Sequence, residues 1–187
     1  MGEPELDEYR SQFQKIAEQA KTLTNGLSEA QFNWRPRPEE WSIQECLGHL
    51  NILGRFEIPL LENIIRDART RGITGKGPFR YGFMARTILK QTEPPVRRKF
   101  SAPQRFRANH GQPLTAILPT FLHLQSQFIR VVEQSEGLDL ARIKVPTPIT
   151  RLLRLSLGAT LAQLAAHERR HLDQARRVRE HPQFPPQ

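Results

Sequence analysis

The chain has 187 residues, enough for one domain with a sizeable core. Its single cysteine, Cys46, excludes an internal disulfide framework. No stretch approaches membrane-spanning length and the N-terminus is acidic rather than signal-like, so a soluble, cytoplasmic protein without a membrane partner is expected. The net charge of +9 is uneven: residues 66–110 carry twelve Lys/Arg against two acids, a local balance of +10, which leaves the rest at −1. Such a patch attracts anions, from small molecules to nucleic acid. The plainer alternative is a solvated basic linker. No zinc finger, RNA-binding aromatic motif or clear helix-turn-helix accompanies the charge, which counts against nucleic acid.

The first helix is predicted from about Pro4 to Thr24, because Leu6, Tyr9, Phe13, Ile16, Ala20 and Leu23 recur at steps of three and four. Asn25-Gly26 supplies the stop. Ser28 to Asn33 can add a turn of helix, and Pro36 and Pro38 make an extended connection. Trp41-Ser42-Ile43-Gln44-Glu45-Cys46 is a strong helix start: Ser42 caps the amide three residues on and Glu45 reaches back, with Trp41 packing on Cys46 as a staple. Glu45 thereby has a structural task. This second helix runs to about Ala68, with Pro59 removing one ladder bond. Cys46, His49, Leu53, Phe56 and Leu60 share one face. His49 therefore sits on an apolar stripe. It is either a satisfied core histidine or a ligand, since buried imidazole needs partners for both nitrogens.

Residues 69–112 form a long crossover broken by Gly72, Gly75, Gly77, Pro78, Pro94, Pro95 and Pro103, with a short helix expected over Tyr81 to Lys90. Connections this long in a compact domain are usually functional. The third helix spans about Leu114 to Ser135, with Ile117, Phe121, Gln125, Phe128 and Val132 inward and His123 on a flank. Residues 138–155 read as an extended, non-helical loop. The fourth helix begins near Ser156 and ends at about His181, before Pro182.

On that last helix Leu157, Leu161, Leu164, His167, His171, Ala175 and Val178 share a face. His167 and His171 stand four apart, within reach of one point. The alternative is a polar pair on a surface turn. Two imidazoles in a seam give up apolar burial of roughly 2 kcal/mol each, which suggests a role beyond packing. If helices two and four are neighbours, His49, His167 and His171 can converge and hold one divalent metal, as helix bundles do. Three imidazoles and no fourth protein ligand leave positions open for water or substrate. His167-Glu168-Arg169-Arg170-His171 also matches H-E-x-x-H, the zinc-peptidase motif in which the Glu is general base. The extended form needs Gly and His downstream, where Gln174 and Arg177 stand. Glu168 is the candidate catalytic residue, able to orient a water; otherwise it is a solvated surface acid.

Trp34-Arg35-Pro36, Trp41-Ser42-Ile43, Glu45 and Gly48-His49-Leu50, followed far downstream by Ala166-His167-Glu168-Arg169-Arg170-His171 and Gln174, resemble the DinB-like (damage-inducible) superfamily. Any one of these motifs is weak; their order and separation are specific. The resemblance implies an all-α fold: a four-helix bundle, up-down-down-up, with a long crossover between helices two and three. That domain would cover residues 1–181, with 182–187 a flexible tail. The resemblance also implies a metal, often zinc or nickel, on three histidines that fall here at His49, His167 and His171. Some relatives are thiol-dependent transferases or isomerases and others metal-dependent hydrolases. Three functions follow as expectations. One is a metalloenzyme acting on a small molecule, anionic or a thiol, drawn in by Arg97, Arg98 and Lys99. Another is a non-catalytic module braced by its metal. The third is a nucleic-acid binder. A homodimer is compatible with all three.

Overall fold

The computed structural model describes residues 3–95, 102–148 and 152–186. Arg97, Arg98 and Lys99, expected to attract an anionic substrate, lie outside these. The helices are α1 (Pro4–Thr24), α2 (Glu29–Asn33), α3 (Ile43–Thr70), α4 (Phe83–Thr92), α5 (Leu114–Gln134) and α6 (Leu157–Arg179). The long ones, α1, α3, α5 and α6, make the bundle, with α1 and α3 each packed on both α5 and α6.

Their directions follow from end-to-end ties. Glu3 accepts from the Gly137 amide, so the start of α1 meets the end of α5. Arg69 donates to the Gln134 carbonyl and Asn51 to that of Ile117, so α3 and α5 run parallel. Arg179 donates to the Thr22 and Leu23 carbonyls, joining the ends of α1 and α6. The bundle is therefore up-down-down-up, and the long crossover is what lets α3 and α5 run side by side in one direction.

Local chemistry starts the helices where it should. Ser42 accepts from the Glu45 amide at 3.2 Å while Glu45 accepts from the Ser42 amide at 3.0 Å, a complete capping box. Ser28 and Gln31 repeat the device at α2. The Glu45 carboxylate also takes Arg35 at 2.5 and 2.7 Å through both oxygens. Burial pushes that carboxyl up, but Arg35 and Ser42 outweigh burial and hold it below its usual range. Pro59 lies within α3 and Pro119 within α5 without ending either helix.

Residues 138–155, expected to be a plain loop, contain a small antiparallel hairpin: β1 (Lys144–Pro146) pairs with β2 (Arg154–Ser156), Val145 facing Leu155. The segment before it covers the start of α6, where the Leu157 and Gly158 amides donate to the Ile143 and Leu140 carbonyls. Those amides have no partner inside their own helix. At Gly158 a Cβ would collide with the Tyr81 ring, whose hydroxyl hydrogen-bonds Glu5 and lies 3.5 Å from the Tyr9 hydroxyl. That close approach seats the start of the crossover between α1 and α6.

Two residues of the tail make contacts with the bundle. Phe184 packs edge-on against Trp34 with ring centroids 5.6 Å apart, and Gln31 donates to the Pro185 carbonyl at 2.9 Å. An aromatic side chain near an apolar shelf docks there, a contact that composition alone does not reveal.

Glu57 of α3 is only 2 % exposed, and its Oε2 has no hydrogen-bond partner among the described residues. Burial pushes its carboxyl up to about 7. Between the ordinary carboxylate range and pH 7 the folded chain holds a proton that the unfolded chain has released. Stability therefore falls as pH rises through that window. Glu57→Gln is expected to exceed the unaltered chain by roughly 1–3 kcal/mol at pH 8, the gap narrowing at pH 5. Urea denaturation at both pH values checks this; a gap independent of pH would refute it.

Candidate metal centre

The site lies between α3 and α6. The capping box fixes where α3 begins, and His49 comes two turns later on the face turned to α6. His167 and His171 project from α6 one turn apart. One nitrogen from each of His49, His167 and His171 falls within 4.8 Å of the other two. His167 Nε2 and His171 Nε2 are 3.2 Å apart. The His49 ring centroid is 4.6 Å from that of His171 and 5.4 Å from that of His167. His49 and His171 are 3 % and 8 % exposed, and His167 is partly buried.

The surroundings prepare these rings for a cation. His49 Nδ1 sits 2.7 Å from the Phe106 carbonyl. A carbonyl only accepts, so Nδ1 carries the proton and Nε2 keeps its lone pair for the cluster. Burial, first, holds all three imidazoles below their ordinary pKa; for His167 and His171 the neighbouring imidazoles and Arg170 add to it. Neutral rings are the ligand form. His171 Nδ1 is buried without a hydrogen-bond partner among the described residues. Three neutral nitrogen donors facing one point fit a divalent transition metal. No carboxylate or thiol joins them among the described residues.

Trp41 covers one side. Its ring stacks on His171 at 5.5 Å and 20° and tilts over His49 at 5.1 Å. The expected staple residue thus packs against the core that includes Cys46 and against the imidazoles as well. Cys46 is fully buried and burial pushes its thiol far up, so it is no nucleophile. His123 is exposed, as its place on the flank predicted.

Glu168 stands apart from the cluster. It is 3 % exposed, so it is not a solvated surface acid. One residue past His167, it points to α5, where Oε1 accepts from Gln125 Nε2 at 3.0 Å. Burial pushes its carboxyl up to about 8, which favours the protonated form at neutral pH and works against a general base. The clue lay in Gln125: an amide on an apolar stripe needs a buried polar partner. Two features of the site had no such clue. The Phe106 carbonyl is backbone, and the nearness of Arg170 to the rings depends on how α4 docks. Arg170 is held towards α4 by the Gln91 carbonyl at 3.4 Å.

A helical bundle closed around three convergent histidines is a metal-site scaffold. The comparison with known families agrees: the DinB superfamily signature matches residues 12–175, and the chain belongs to that superfamily. No curated protein and no solved structure gives a significant match. No helix among the described residues is long and apolar enough to cross a membrane.

Proposed function

We propose that this protein is a metalloenzyme that uses His49, His167 and His171 to hold a divalent ion, zinc or nickel, and acts on a small anionic substrate or a low-molecular-weight thiol. The observation that carries the reading is the meeting of three neutral imidazole nitrogens from two helices, with no fourth protein donor among the described residues. A cation held there would supply a Lewis acid to a substrate oxygen or lower the pKa of a thiol. The protein's part is positional and electrostatic. Phe106 orients His49, Trp41 keeps water from one flank, and Arg170 supplies positive charge beside His167 and His171. That charge favours an anion. Hydrolysis and thiol transfer both fit such a site.

A second reading keeps the metal but not the reaction. The burial of His49 and His171 under Trp41 suits an ion that braces α3 against α6. One experiment separates the two. Untagged protein is analysed for metal, loaded with Zn²⁺ or Ni²⁺, and screened with low-molecular-weight thiols and carboxylate-bearing electrophiles and esters. Metal-dependent turnover supports the enzyme. A raised Tm without turnover supports the brace. Failure to take up either ion overturns both.

A further inference from the structure

Gly48 lies in the interior of α3, where glycine is about 1 kcal/mol worse than alanine. Its neighbour in space explains it. A Cβ at Gly48 would stand 2.7 Å from Ala108 Cβ and 3.2 Å from Gln44 Nε2. Gln44 can swing aside, but Ala108 Cβ is fixed to the backbone of the crossover. That same strand of crossover, two residues earlier, presents the Phe106 carbonyl to His49 Nδ1. Resting on the metal-site reading above, we infer that Gly48 is a positioning residue for the metal: it admits the crossover close enough for the Phe106 peptide to orient His49.

The distances make the dependence steep. Methyl carbons in contact sit at about 3.5–4.0 Å, so an alanine at 48 pushes the crossover back by roughly 1 Å. A 2.7 Å hydrogen bond stretched that far passes the limit of about 3.2 Å. Beside Ala108 the crossover is tied both to the segment after β1 and to α3 itself. Arg105 lies over the Phe106 ring at 4.8 Å and donates to the Pro148 carbonyl at 2.5 Å, and Phe56 packs edge-on to Phe106 at 5.9 Å. A retreat at Ala108 therefore disturbs the Phe106 peptide rather than being absorbed elsewhere. Without its acceptor, the tautomer of His49 is no longer fixed and the ring is held by packing alone. Losing such an outer partner typically lowers metal affinity about 10–100-fold.

The test is Zn²⁺ affinity, measured by competition with a chromogenic chelator. It is run on the full chain, on Gly48→Ala, on Ala108→Gly, and on the two combined, with the melting of each metal-free protein as a folding reference. Gly48→Ala favours the helix itself, so it is expected to fold. Its Zn²⁺ Kd is expected to rise about 10-fold or more, and Ala108→Gly in the same chain, by removing the opposing methyl, to restore it to within about threefold. Ala108→Gly alone is expected to leave affinity unchanged. Equal affinity in Gly48→Ala, or a loss that Ala108→Gly does not repair, overturns this inference while leaving the three-histidine site standing. Absence of Zn²⁺ binding by the unaltered chain would remove that site, and this inference with it.

Discussion

Replacing His171 by leucine is expected to weaken Zn²⁺ or Ni²⁺ binding by more than about 100-fold, beyond what the loss of an outer partner does. His171 lies at the centre of the triad, 3.2 Å from His167 Nε2 and beneath Trp41. Without it, two imidazoles from different helices remain, an incomplete set for a tetrahedral ion. Leucine rather than alanine is the informative choice, because the position belongs to the apolar seam of α6 and the seam stays filled. The metal-free variant is expected to be about 1 kcal/mol more stable than the metal-free parent, since the buried, unpartnered Nδ1 disappears with the ring. The two effects then oppose each other. At a metal concentration 100 times the parent Kd, binding stabilises the parent by about 2.7 kcal/mol and a variant 100-fold weaker by about 0.4 kcal/mol. Chelator competition reads the first effect and metal-free urea melts the second. Unchanged affinity in His171→Leu would remove that residue from the ligand set.

Phe13→Ala is expected to have the largest effect on stability, a loss of about 3–5 kcal/mol in urea denaturation. Phe13 is fully buried at the seam of α1 and α5, its ring stacked on Phe128 with centroids 5.0 Å apart and planes at 10°. Removing it leaves a cavity walled by two helices that are tied at their ends and cannot readily collapse into it. Set against a total of about 5–15 kcal/mol for a domain, that is a large share. The three candidate ligands lie on α3 and α6, not on this seam of α1 and α5. A variant kept cold and folded is expected to hold Zn²⁺ with the affinity of the parent. A loss below about 1 kcal/mol would show that this stack is peripheral to the core.

The elements read best from the sequence are those whose signals are local. The apolar steps from Leu6 to Leu23 mark α1 residue for residue, and Ser42 with Glu45 marks the start of α3, since a cap is made within four residues. The three histidines were legible for a different reason. Each stands where its helix would otherwise carry an apolar residue, and a polar residue on such a stripe calls for a partner. Glu168 shows the limit of that logic. Its fate was set by Gln125, 43 residues away, and no local spacing pairs the two. The hairpin at 144–156 escaped notice because three-residue strands are too short to show alternation. Phe184 escaped because a lone aromatic in a proline-rich tail carries no period at all. In the crossover no local signal marks Phe106, and that its carbonyl, not its ring, meets His49 could not be read from residue types.

The five residues from His167 to His171 invite a motif search to read them as a peptidase signature, yet every one of them also bears on the scaffold. The two imidazoles face α3, Glu168 holds α5, Arg169 grips Glu93 at 2.7 Å and Gln12 at 2.9 Å, and Arg170 reaches the end of α4. One helical turn is thus the junction at which every long helix of the molecule is fastened. An alanine scan along it would confound lost chemistry with a loosened frame at each position in turn. Only shape-preserving exchanges there can tell a missing ligand from a missing bolt.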